Sequence, residues 1–318
     1  RRPAQRSAAS ALQLGTTKLL AAVPAVKAPG VTADVLVVAL AVLYWVPYHR
    51  RAGRLAREGH PVESWRQWCY AAGLLVLVVA LSTPLGVLAE KLLVAHMVEH
   101  LLIGDIGALL IVLGLTGPMI APLLRIGLFQ RLRFFTHPLV ALPVWAIDLY
   151  AWHAPALYQA ALRNEGVHAL EHACFLLAGI AMWMALLGPL PKPAWFGNLA
   201  QLCYIVAVRL IEGVLGNILL WSHTIFYPYY GVYEKAYGIS PLGDQVDAGA
   251  VMMVEGSILT ILLFAWLFMR AASQSEQRQA LLDFARANHL ELDDARAARA
   301  VAAGRGDELR RRLEERLS

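Results

Sequence analysis

The sequence predicts an all-α polytopic membrane protein: a seven-helix transmembrane bundle followed by a cytoplasmic helical C-terminal tail. Three observations carry this expectation. Of 318 residues, 58% are hydrophobic and only 16% charged, whereas about a quarter of a soluble domain is charged. The apolar residues arrive in blocks of about 20, the length at which a helix crosses a bilayer. Lys and Arg collect in alternate connections between those blocks, the asymmetry that orients membrane proteins. A soluble or disordered chain is thereby excluded. The net charge of +5 reflects topology and the tail, so nucleic acid is not an expected partner.

The apolar blocks run at 32–48, 67–82, 92–115, 138–156, 167–187, 198–221 and 246–269, and each is expected to be a helix. Pro61 precedes the second block, Thr83-Pro84 follows it, and Gly188-Pro189-Leu190-Pro191 follows the fifth, all of them breakers at the expected places. The connection 49–66 holds Arg50, Arg51, Arg54, Arg57 and Arg66; 116–137 holds Arg125, Arg131 and Arg133; 188–197 holds Lys192. The other connections hold only Lys91, Arg163 and Lys235. Nine against three places the first set in the cytoplasm, the N-terminus outside and the tail inside. Arg1, Arg2, Arg6, Lys18 and Lys27 argue the other way, and the alternating connections outweigh them.

Three units result: an N-terminal segment 1–31, outside or partly disordered, a membrane domain 32–269 and a cytoplasmic tail 270–318. Residues 118–135 alternate apolar runs with arginine and suit a short helix lying along the inner interface. The tail reads as one or two helices, with Leu281, Leu282, Phe284 and Leu290 as its apolar contacts. Cys69, Cys174 and Cys203 occur singly, so neither a disulfide framework nor a paired-cysteine metal site is expected.

The histidines carry the chemistry. Of ten, six fall at one depth by this topology: His96 and His100 open the third span, His153 closes the fourth, His168 and His172 open the fifth, and His223 follows the sixth. His49, His60, His137 and His289 lie on the inner side or in the tail and read as surface residues. His96-Met97-Val98-Glu99-His100 and His168-Ala169-Leu170-Glu171-His172 share the form H-x-x-E-H. Four residues make slightly more than one helical turn, so each pair stacks two imidazoles on one face, where they can share an ion. Glu99 and Glu171 stand beside the rings, able to orient an N–H or to ligate. Desolvated histidines at one depth are costly unless paired or metal-bound, and a metal site is the expectation. Imidazole suits copper, zinc, iron and nickel alike; the nearby thioethers of Met97, Met252 and Met253 tilt the choice toward copper.

Two other readings stay open on the residues alone. H-x-x-E-H is also the inverted zinc-peptidase motif, with the glutamate as general base, but two copies with extra histidines exceed what one catalytic zinc needs. A haem held by one histidine from each pair is the other. Deeper in the spans, Arg209 and Glu212 are three residues apart and can form an internal ion pair, shared with Asp105 or Glu255.

From about 82 to 269 the chain resembles the membrane-integral CtaG family associated with assembly of caa-type cytochrome c oxidases. The resemblance rests on Pro84-Leu85 and Leu88-Ala89-Glu90 leading into the first H-x-x-E-H string, on Trp152-His153-x-Pro155-x-Leu157-Tyr158, on the second string with Phe175-Leu176-Leu177, and on Asp244-Gln245-x-x-Ala248-Gly249-x-x-Met252. Glu99, Glu171 and Met253 depart from the usual pattern. The resemblance implies a multi-pass protein of the bacterial cytoplasmic membrane that handles copper on its periplasmic side and helps deliver it to the oxidase, without chemical turnover. It implies one or two copper ions, with zinc as the other candidate, held by His96, His100, His168 and His172, with His153, His223 and Met252 as further ligands. Expected partners are oxidase subunits, a soluble copper chaperone and the lipid bilayer.

Overall fold

The computed structural model describes residues 31–315 except Thr83. All but one residue of the N-terminal segment assigned to 1–31 lies outside the described residues. Every regular element among them is helical. The main helices are α1 (Val31–Arg57), α2 (Ser64–Leu81), α3 (Leu93–Gly114), α4 (Pro138–Trp152), α5 (Glu165–Leu186), α6 (Asn198–Trp221), α7 (Pro241–Ala287), α8 (Asp294–Ala302) and α9 (Gly306–Glu314).

Five of these, α2, α3, α5, α6 and α7, are long and apolar enough to cross a membrane, and a sixth span results if Gly127–Thr136 and α4 count as one broken helix bent by 79°. Seven are expected, and among the described residues α4 and α1 are the two that do not stand alone as spans by this measure. With 15 residues, α4 is only about 22 Å long, short of the hydrocarbon thickness without its bent neighbour. α1 has Asp34 in its first turn and continues through the predicted loop as far as Arg57. Val35, Leu36, Leu43 and Tyr44 nevertheless stand exposed along it. α7 likewise turns Val254, Ile258, Ile261 and Phe268 outward, the reverse of a soluble helix.

At the centre, α3 and α5 lie side by side, with α2 and α7 packed on α3, α4 on α5, and α6 between α4 and α7. α1 covers α2, where Tyr48 and Tyr70 stack at 3.9 Å and Tyr48 donates to the carbonyl of Gly114 at 2.8 Å. Midway along its length α3 widens into a π-helical stretch, Leu102–Gly107. Here a methyl group on Gly179 of α5 would overlap the carbonyl oxygen of Gly104 and lie 2.9 Å from its carbon. The two backbones therefore touch, as small residues allow in membrane bundles.

Two other expectations change. Residues 118–135 do not form one interfacial helix: Gly117–Ile120, Leu123–Arg125, Gly127–Leu132 and Arg133–Thr136 are separate short turns, because Pro118, Pro122 and Gly127 interrupt the hydrogen-bond ladder. The boundary placed at 270 falls inside a helix of 47 residues. Beyond it α8 and α9 fold back on the end of α7 around Leu281, Val301, Leu309 and Leu313, with Phe284 and Leu290 beside them.

Replacing Gly179 by Ala should lower stability by about 1–3 kcal/mol, the range for overpacking, read as a lower unfolding midpoint in detergent. Gly213→Ala, with nothing within 4 Å of its position, should leave the midpoint unchanged or slightly raised.

Candidate metal centre

The first turns of α3 and α5 run parallel, so the two H-x-x-E-H strings meet in register. Ring centroids are 4.2 Å apart within each pair, His96 to His100 and His168 to His172. Across the helices His96 faces His168 at 5.2 Å and His100 faces His172 at 5.5 Å. One nitrogen from each of the four rings lies within 4.8 Å of all the others. His96 and His100 are buried, while His168 and His172 are partly open toward the end of the bundle.

The carboxylates cross between the helices. Glu171 of α5 lies 3.9 Å from Nε2 of both His96 and His100 on α3, and Glu99 of α3 lies 3.8 Å from Nε2 of His172 on α5. These separations are too long for hydrogen bonds. Nε2 of His96, His168 and His172, both ring nitrogens of His100, Oε2 of Glu99 and both oxygens of Glu171 are buried with no hydrogen-bond partner. Such atoms are costly singly. Gathered around one point, with imidazole and carboxylate lone pairs facing each other, they form a donor set that fits a cation.

A second layer holds the rings. Tyr230 is paired with Nδ1 of His96 at 3.1 Å, and Tyr158 with Tyr230 at 3.1 Å. A partner at Nδ1 fixes the ring and presents Nε2 to the cluster. His153 donates from Nδ1 to the carbonyl of Leu149 at 2.7 Å, which leaves the Nε2 lone pair 3.4 Å from the sulfur of Met97. Its ring lies 6.1 Å from that of His100. Met252 is buried and lines, with Met97, His100, His153 and Asp105, a cavity of about 20 Å³ beneath the histidines, room for roughly one water. His223, exposed just beyond the end of α6, makes no ring contact with the four.

The loop after α6 closes this end. Tyr227 donates to the carbonyl of His153 at 2.7 Å. Asp244, in the first turn of α7, accepts from the backbone N–H groups of Leu93 at 2.6 Å and Val94 at 3.0 Å. It thereby satisfies the open first turn of α3 with a negative charge at the positive end of the helix. Gln245 receives the N–H of Phe226 at 3.0 Å and donates to the carbonyl of Thr224 at 3.1 Å. Deeper in the bundle Arg209 and Glu212 form the expected pair at 3.7 Å, and Arg209 also reaches the carbonyl of Met253.

Sequence reasoning picks out the four histidines and both glutamates but misses Tyr227 and Tyr230. Their signal is modest: four aromatics around Pro228, Phe226 to Tyr230, in the 19-residue connection between α6 and α7. Asp244 and Tyr158 enter only through resemblance, with no role attached.

Glu234, in the loop helix Gly231–Tyr237, is 2% exposed. Burial, then the charge of Asp244 and a hydrogen bond to it, raises its carboxyl from the ordinary 4.5 to about 7. A raised acid binds its proton more tightly in the folded chain. Its contribution to stability is therefore full below about 4.5 and is lost as pH rises through about 7. The unfolding midpoint should fall across that window, and Glu234→Gln should flatten the fall; an unchanged slope would count against the Glu234–Asp244 contact.

Residues 42–274, which include every candidate ligand, match the family model described as cytochrome c oxidase caa3 assembly factor, Caa3_CtaG. Searches of curated proteins and of solved structures returned no match. The family match spans about three quarters of the sequence, with both histidine strings and the Asp244 cap inside it, and on that ground the chain belongs to the Caa3_CtaG family of cytochrome c oxidase caa3 assembly factors.

Proposed function

We propose that this chain is a non-catalytic, seven-span protein of the bacterial cytoplasmic membrane. Its cargo is copper, one or two ions, bound at His96, His100, His168 and His172 on the periplasmic side and passed to an oxidase subunit. The observation that carries the reading is the convergence of four imidazoles, with nitrogens within 4.8 Å of one another and no partners for most of them. Four nitrogens around one ion at about 2.0 Å would be about 3.3 Å apart, so small ring rotations close the set. His153 and Met252 supply the next layer, and the thioethers favour copper in its reduced state.

Four protein nitrogens fill a tetrahedral ion and leave no position for a reacting water, which favours holding an ion over peptidase chemistry. The cavity of about 20 Å³ beside the rings has no room for a haem. His168 and His172 are the partly open members, the side from which a soluble donor would approach and a client subunit would receive the ion.

Elemental analysis of the purified protein tests the metal. Replacing His100 or His172 by Ala should weaken binding at least about tenfold, since even changes beyond the direct ligands reach that size. His137→Ala, at the far end of α4, should bind as the parent does. Oxidase assembly should fall in parallel; full assembly by a metal-free double variant would overturn delivery, and zinc in place of copper would overturn the cargo.

Sidedness is checked separately. A cysteine at Gly231 should be labelled by an impermeant reagent in intact cells, and one at Glu291 only after permeabilisation.

A further inference from the structure

A groove lies at the end of α5 opposite the histidines. There Gly127–Thr136 meets α4 at 79°, and the loop after α5 lies opposite. Between them is an open groove of about 720 Å³ lined by Arg133, Phe134, His137, Leu139, Leu190 and Lys192.

Its charge is one-sided. Residues 106–147 and 172–208 contain no Asp or Glu, yet hold Arg125, Arg131, Arg133 and Lys192. None of these four makes an ion pair among the described residues. The Lys192 ammonium donates to the carbonyl of Leu186 in the last turn of α5, which fixes it at the groove with two N–H bonds to spare. Burial and the nearby Arg270 push its ordinary value down to about 8, as expected where positive charge is not offset.

The surroundings are amphipathic. Phe134 is 63% exposed, Leu128 62% and Trp195 50%, on the segments that carry the cations. Aromatic rings interleaved with basic residues mark the headgroup level of a membrane. A free phosphate would satisfy the cations and leave the apolar wall uncovered. A molecule with a phosphate head and hydrocarbon chains meets both requirements, and basic pockets between spanning helices take such heads.

We propose that this groove binds an anionic phospholipid, its phosphodiester held by Arg133 and Lys192 and its acyl chains laid along Phe134, Leu139 and Leu190. The site is separate from the histidine cluster and uses no residue of it.

The full chain purified in a neutral detergent is titrated with phosphatidylglycerol, with phosphatidylcholine of the same chains, or with inorganic phosphate, and the unfolding midpoint is followed. Phosphatidylglycerol should raise the midpoint saturably, with an apparent affinity on the order of tenfold above phosphatidylcholine; phosphate should do nothing. R133Q/K192Q should lose the preference, R133K/K192R should keep it, and R57Q, at an exposed arginine that does not line the groove, should match the parent. Since Arg133 is exposed and unpaired, R133Q alone carries the test if the double variant does not fold, with a preference clearly below the parent's. Equal responses to the two lipids, an equal response to phosphate, or a preference undiminished in these glutamine variants would each overturn the proposal.

Discussion

Two helices can share an ion only if they come close enough for short side chains to meet. Packed helices ordinarily stand 8–10 Å apart, and imidazoles facing across that gap meet at one ion only if the two helices are held in a fixed register. The contact of Gly179 with the backbone of Gly104 resolves this. It lies deeper along α3 and α5 than the histidines and acts as the pivot from which their first turns are held in register. The π-helical stretch around Gly104 belongs to the same arrangement: one extra residue in the turn rotates the side chains around it, so Asp105 looks into the cavity beneath the histidines.

Given that register, the repeated string makes an approximate two-fold. Each helix offers two rings and one carboxylate, and each carboxylate faces the other helix's rings. A glutamate serving its own helix would leave two half-sites; crossing makes one. Tyr230 and Asp244 then tie the set to the loop after α6 and to α7, so three helices and a loop are held at one end by groups with few alternatives.

Much of this is legible in the chain, and the rest is hidden for physical reasons. The four histidines are readable because spacing of four on a helix fixes a common face, and their depth comes from counting spans. That Tyr230 meets His96, 134 positions away, is not readable, because no local period encodes a long-range partner. The bend before α4 is hidden for a similar reason: apolar length says that a segment is buried, not which way it points. The end of α7 escapes the hydropathy pattern because apolarity stops near 269 while helix formation does not. Ala, Gln, Arg and Leu continue it to Ala287, all strong helix formers, and Asn288 is the first residue to break away.

The length of α7 sets a mechanical relation between the two ends of the molecule. At about 1.5 Å per residue its 47 residues make a rod of about 70 Å, with no proline after the first turn to hinge it. Asp244 grips α3 at one extremity, and the α8–α9 hairpin clasps the other. A stiff beam held at both ends converts displacement at one into displacement at the other: a tilt of the tail hairpin is levered along α7 to the turn on which His96 and His100 stand.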